Sequence, residues 1–185
     1  MPVHDVIVVG LGGVGSAAAW HLARRGVRVL GLDQYPPAHD RGSSHGETRV
    51  IRQAYFEHSD YVPLLRRAYD LWRELEDRRS QKLLFPVGLL QVGPPQGVVI
   101  PGVLRAAVQH HLAVEKLTPQ EAEKRFPQFT IPHDMEAVYE PAAGYLRVEL
   151  TLPASAKAGE KWVVTVETTD LVKAVSATSG VFTVN

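Results

Sequence analysis

The sequence predicts an α/β protein: a parallel βαβ unit at the N-terminus, part of a mixed α+β section after it, and a β-rich tail that diverges from both. Three observations carry this. Four consecutive β-branched residues, Val6, Ile7, Val8 and Val9, run directly into Gly10-Leu11-Gly12-Gly13-Val14-Gly15, the pattern of a strand covered on both faces that turns sharply into a helix. Helical and strand periodicities then alternate through the next hundred residues. Finally, the composition shifts near residue 150: all 14 arginines precede it, and six of the nine threonines follow it.

Taken in order, residues 16–25 carry Ala17, Ala18, Trp20, His21, Leu22 and Ala23, good helix formers that stop at Gly26, a residue suited to a left-handed C-terminal turn. Residues 27–32 read as a second strand ending in Asp33, which completes the βαβ unit. Pro36 and Pro37 break the pattern, and 41–49 is a polar loop rich in Gly and Ser. A helix is expected over 60–77, with Leu64, Leu65, Ala68, Leu71, Trp72 and Leu75 on its apolar face and Arg66, Arg67, Arg73 and Glu74 on the other. Residues 87–92 read as a strand between Pro86 and Gly93-Pro94-Pro95, and 104–111 as a short helix. Thr118-Pro119-Gln120-Glu121 is a capping box with proline in the first helical position, so a helix starts there and stops before Pro127. Residues 137–140 form a further strand. In the tail, 161–169 and 181–184 read as strands and 153–159 as a loop. The domains expected from this pattern are 1–82, 83–149 and 150–185.

Composition narrows the function classes. Twenty basic residues balance twenty acidic ones and the pI is about 7.1, which leaves no extended basic field for nucleic acid and no polybasic membrane anchor. There is no cysteine, hence no disulfide and no thiolate chemistry. No apolar stretch approaches the roughly 20 residues that span a bilayer, and no basic segment precedes the first apolar run. The expected location is cytoplasmic.

The chemistry concentrates in two places. In the first, Gly10 permits a tight turn, Gly12 lets backbone approach a pyrophosphate, and Gly15 allows the helix to lie close to the sheet. The helix N-terminus supplies free N–H groups to phosphate. Asp33, at the end of the second strand, is placed to accept hydrogen bonds from ribose hydroxyls, and its charge disfavours NADP. This is a Rossmann-type dinucleotide-binding unit, and the motif by itself does not separate FAD from NAD. The second concentration runs from Ser43 and Ser44 through His45, Arg49 and Arg52 to Tyr55. Arginine's planar fork suits a carboxylate, and a cation beside a flavin would stabilise the negative charge that reduction develops; a solvated connector is the competing reading.

Weaker signals carry less. His110 and His111 are adjacent and so face different ways on a helix, which argues against a metal pair; no metal is expected. His39, His58 and His133 read as surface residues, Trp20 and Trp72 as core, and Glu47 has no evident carboxylate partner.

The glycine motif, the segment GSSHGETRVIRQAYFE at 42–57, DYVPLLRRAYDLWREL at 60–75, VGLLQVGPP at 87–95, RFPQF at 125–129 and YEPAAGYLR at 139–147 together resemble the monomeric sarcosine oxidase and N-methylamino acid oxidase family, within the D-amino acid oxidase-like flavoproteins. The resemblance runs from about residue 3 to residue 149. It implies FAD as cofactor, held by Gly10, Gly12, Gly13, Gly15, Asp33, Ser43 and Ser44. It also implies His45 and Arg49 against the isoalloxazine ring, Arg52 on the substrate carboxylate and Tyr55 lining the substrate pocket. The reaction so implied is oxidation of the C–N bond of a secondary or N-methylated amino acid, with O₂ as co-substrate and H₂O₂ as product. Members of the family are about twice this long, so the resemblance also implies an N-terminal portion whose catalytic unit is incomplete. The competing expectation is a non-catalytic dinucleotide-binding module or truncated remnant.

Overall fold

Eleven strands and four helices follow one another in a computed structural model that describes residues 3–35, 41–45 and 48–147 and the backbone of three later strands. In chain order they are β1 (Val6–Val9), α1 (Gly13–Arg24), β2 (Val29–Leu32), β3 (Thr48–Ile51), α2 (Tyr61–Arg79), β4 (Leu84–Phe85) and β5 (Leu89–Gly93). Then come α3 (Val99–His110), β6 (Glu115–Leu117), α4 (Pro119–Arg125), β7 (Glu136–Glu140) and β8 (Gly144–Arg147). The tail contributes β9 (Trp162–Val166), β10 (Val172–Ser176) and β11 (Phe182–Val184). His39 and the loop expected over 153–159 lie outside the described residues. No helix among the described residues is long and apolar enough to cross a membrane.

The chain divides into one unit of Met1–Gly46 with Glu149–Asn185 and another of Glu47–Val148. In the first, β1 and β2 pair in parallel, from Val6 opposite Val29 to Val9 opposite Leu32, with α1 as the crossover. Ala19, Ala23 and Val29 form the buried centre, and Val6, Val8, Leu11, Trp20, Leu22 and Val27 pack around it. The helix begins at Gly13, three residues before the position expected, because the glycines of its first turn have low helix propensity and mask the start. It ends as expected, with Gly26 at φ +78°. The tail joins this unit: β11 adds to β2 in antiparallel fashion, giving the order β1-β2-β11, while β9 and β10 form a separate antiparallel pair.

The expectation that β1 is covered on both faces needs correction. Val6 and Val8 are packed, but Ile7 is 58% and Val9 83% exposed. One helix covers one face of a sheet, and the described residues supply no second layer.

Next to β1, Arg28 donates to Asp5 from its backbone N–H, its Nε and its Nη2, at 3.1, 2.9 and 2.6 Å. These bonds, the side-chain ones foremost, lower the Asp5 carboxyl to about 2. A carboxyl lowered on folding stabilises the protein above its unfolded value, near 3.8, and loses that contribution as pH falls toward 2. Asp5→Asn should therefore lose stability at neutral pH and converge with the wild type near pH 2, a difference that thermal melts across pH 2–7 would read; parallel curves would sink it.

The second unit holds two antiparallel sheets, β3-β8-β4 and β5-β7-β6. Helix α2 covers the first, with Ile51, Tyr69, Leu84 and Leu146 buried together and Trp72 against them. The face it buries is rotated from the one expected: Val62 and Tyr69 are buried, whereas Leu64 is 68% exposed and Leu75 is exposed as well. Glu76 helps fix this orientation by accepting the N–H groups of Leu83 and Leu84, each at 2.8 Å. The second sheet is covered on one face by α3, where Ala54, Ile100, Val103 and Val138 cluster, and on the other by α4, where Ala122, Ile131 and Ala137 do. The capping box forms: Glu121 N–H donates to Thr118 Oγ1 at 3.3 Å and Thr118 N–H to Glu121 Oε2 at 2.8 Å. The expected boundary after residue 82 falls inside this unit, because α2 packs on a sheet whose strands include 48–51 and 144–147.

Candidate functional site

In the first unit the glycine turn connects β1 to α1. Gly10 sits at φ +88° and donates its N–H to the Leu32 carbonyl at 2.7 Å, which ties the turn to the end of β2. Gly15 is where the helix presses on this turn: a Cβ there would collide with the Gly10 carbonyl oxygen and lie 2.9 Å from its carbon. Gly12 is exposed with nothing within 4 Å of a would-be Cβ, and Gly13 is exposed too, its would-be Cβ 2.7 Å from Ser44 Oγ. The N-cap residue, Gly12, offers no side-chain cap, and no acidic residue occupies the first turn. The leading N–H groups of α1 are thus open to an anion, with the helix dipole behind them.

Asp33 closes the turn from the other side. Its Oδ2 accepts the Leu11 N–H at 2.5 Å and its Oδ1 the Tyr35 N–H at 3.0 Å. Ser43 and Ser44 are both exposed, in the segment 41–45. His45 follows, exposed, with Nδ1 2.5 Å from the Gly42 carbonyl oxygen. A carbonyl only accepts, so Nδ1 carries the proton and Nε2 of the neutral ring is the lone-pair nitrogen.

The other candidates belong to the second unit. Arg49 lies on β3, exposed and paired in register with Leu146. Arg52 follows the end of that strand. Its guanidinium lies 4.4 Å from the Tyr55 ring centroid and 5.2 Å from that of Phe56, and its Nη2 donates to both oxygens of Glu57 at 3.0 and 3.1 Å. Only 19% of the side chain is exposed, and Nε is buried without a hydrogen-bond partner among the described residues. Tyr55 packs its ring against Tyr61 at 5.3 Å and donates its N–H to the Gln53 carbonyl at 2.8 Å. Arg52 and Tyr55 are therefore brought into direct contact, and a cation held over two aromatic faces is one prepared for an anion in a poorly hydrated place.

Two residues in this region are absent from the sequence-derived set. Glu140, the last residue of β7, is 1% exposed, and its two oxygens accept the N–H groups of Gln53 at 2.7 Å and Ala54 at 3.1 Å. Burial raises its carboxyl above the ordinary range, against the opposing pull of those two N–H groups and of the Arg52 charge. Gly102 on α3 faces the same segment; a Cβ there would collide with the Phe56 carbonyl oxygen and lie 2.9 Å from its Cα. The alternation Ala137, Val138, Tyr139, Glu140 contained a usable signal for the first, since it sets Glu140 on the same face as Val138.

The weaker sequence signals resolve as surface and core. His58 and His133 are exposed, Trp20 and Trp72 pack on buried clusters, and His111 is an exposed left-handed cap of α3 at φ +52°. No group of three or more metal-ligating side chains occurs among the described residues. Glu47 lies outside them.

The family model described as FAD dependent oxidoreductase matches residues 5–185. It therefore takes in the tail strands that the motif-based resemblance, ending at 149, left out. Monomeric sarcosine oxidase of Streptomyces avermitilis is 48% identical over 148 residues, which is 80% of this chain and 38% of that protein. N-methyl-L-tryptophan oxidase of Yersinia pestis is 42% identical over 155 residues, 84% of this chain and 42% of that protein. The chain thus spans about two fifths of the length of these curated relatives. Among solved structures, the open form of NikD, an unusual amino acid oxidase essential for nikkomycin biosynthesis, superposes with a TM-score of 0.67 at 33% identity over 78% of this chain and 38% of NikD.

Proposed function

This chain belongs to the FAD dependent oxidoreductase family, and on that premise we propose that it is the cofactor-binding and carboxylate-binding part of an oxidase acting on a secondary or N-methylated amino acid. The observation that carries the substrate class is Arg52: a largely buried guanidinium, braced on Tyr55 and Phe56, with an unpartnered Nε. A carboxylate would satisfy that donor and exchange with Glu57 for the terminal nitrogen.

The residues of the glycine turn fit FAD. The open N-terminus of α1 and the uncrowded Gly12 suit a pyrophosphate, and Asp33, at the end of β2 beside the same turn, suits an adjoining ribose. Gly10, Gly12, Gly13, Gly15, Asp33, Ser43 and Ser44 would hold it. The bound cofactor supplies two-electron redox chemistry that the protein's own side chains lack. Net, two hydrogens leave the C–N bond of the substrate, water hydrolyses the resulting imine, and O₂ is reduced to H₂O₂. Within this scheme Arg52 orients the amino acid by its carboxylate and Tyr55 lines the substrate pocket.

The test is binding of sarcosine and of dimethylamine, its counterpart without a carboxylate, to the chain purified with FAD. Arg52→Ala should weaken sarcosine by about 1.5–3 kcal/mol, roughly ten- to a hundredfold, and leave dimethylamine unchanged. Equal affinity of the variant and the wild type for sarcosine would remove Arg52 from the site. Retained flavin absorbance with no affinity for either amine would favour a non-catalytic dinucleotide module.

A further inference from the structure

We infer that Glu140 is a positioning residue that sets Arg52 and Tyr55 for a substrate carboxylate, by clamping the backbone between them against β7. The inference rests on the reading of Arg52 as the carboxylate ligand, and goes beyond it to say what holds that arginine in place.

After β3 ends at Ile51, the chain through Tyr55 belongs to no helix or strand. Its amides thus lack the ladder partners that secondary structure would provide, yet Ala54 is fully buried. A buried N–H without an acceptor is costly. The Glu140 carboxylate takes the two N–H groups that lie between Arg52 and Tyr55, one oxygen for each. It arrives from 86 and 87 residues away in sequence, so the contact joins two parts of the unit that local structure does not.

The opposite side is closed as well. Gly102 leaves α3 just enough room for the Phe56 backbone, and Ile100 and Val103 pack with Ala54 and Val138. The segment is held between a carboxylate on a strand and a helix that touches it without a side chain. Arg52 immediately precedes the anchored amides, and its contacts with the Tyr55 and Phe56 rings restrict the torsions of its side chain. Such pre-organisation reduces the ordering cost when an anion binds.

The choice of residue type fits this role. A buried carboxylate is an expensive way to fill space, and an apolar side chain of similar volume would do so at lower cost. Glutamine has one acceptor oxygen, and its amide nitrogen would confront the second N–H with another donor. With one amide on each oxygen, as here, a carboxylate satisfies both and glutamine does not.

Glu140→Gln tests this with two readouts on the chain purified with FAD. Hydrogen exchange should quicken at least tenfold in the peptide 52–57 and stay as in the wild type across 61–79. The ratio of sarcosine to dimethylamine affinity should fall about tenfold, with flavin retention unchanged. Exchange that quickens equally throughout the unit, or an unaltered ratio in a folded variant, overturns the inference. Should E140Q fail to fold, Gly102→Ala disturbs the same segment from the other side with Glu140 intact; the same fall in ratio is then expected, and an unaltered ratio overturns the inference. A wild type that binds both amines equally removes the carboxylate reading of Arg52 and this inference together, whereas a discriminating wild type with an equally discriminating variant removes the inference alone.

Discussion

Replacing Gly15 with valine should strip the protein of FAD and destabilise its first unit by about 3 kcal/mol or more, at the upper end of what overfilling a packed contact costs. The cause is steric. The helix approaches the preceding turn so closely that the first atom of any side chain at 15 meets the Gly10 carbonyl, with Val8 Cγ1 only 3.4 Å away. Backbone cannot swing aside as a side-chain tip can, so either α1 lifts off or Gly10 leaves the turn. Gly12 provides the control. With nothing within 4 Å and an extended backbone, Gly12→Ala should leave the melting temperature unchanged and weaken only the cofactor. Thermal melting and flavin absorbance after desalting separate the two, and a G15V variant that melts like the wild type would show that the contact between helix and turn is not needed for the fold.

Tyr69→Ala should cost about 3–5 kcal/mol, the range for emptying a buried aromatic site. That is a large share of the 5–15 kcal/mol typical of a whole domain. Tyr69 is 2% exposed and shares its buried cluster with Ile51, Leu84 and Leu146, one residue from each strand of the β3-β8-β4 sheet. Its hydroxyl donates to the Ala142 carbonyl at 3.1 Å, and burial together with the Glu140 charge pushes the phenol well above its ordinary value. It therefore stays neutral and a donor at any working pH. Tyr69→Phe should cost about 1 kcal/mol, the worth of one such bond. Urea unfolding resolves both; near-equal losses would mean that the hydroxyl, not the ring, carries the contribution.

Local signals made the first unit readable. The β1-α1-β2 sequence is a contiguous run in which propensity, glycine placement and alternation agree, and the capping box of α4 lies within four residues. What stayed hidden depends on distant partners. Helix α2 was evident as a helix, but nothing in its own sequence says which face meets a sheet, and the tyrosine at 69 outweighed the leucines at 64 and 75. Strand β4 is two residues long and has no periodicity to read. Strand β3 starts at the end of the loop expected over 41–49 and escapes a local reading because its partner, β8, lies almost a hundred residues on. In the candidate site, Arg52 and Tyr55 stand three apart and were visible together, while the carboxylate behind them is separated by 86 residues from the nearer amide it holds.

The pairing of β3 with β8 also sets a timetable for synthesis. Thr48 to Ile51 cannot find Gly144 to Arg147 until roughly a hundred further residues have been made, which takes about 5–20 s at ordinary elongation rates. Helix α2 forms in that interval with its tyrosine side uncovered, and the strand beside it has no mate. The nascent chain is thus most open to aggregation and to chaperones before β8 is translated. Codon choice or temperature that slows elongation between 52 and 144 should lower soluble yield without altering the stability of the protein once folded.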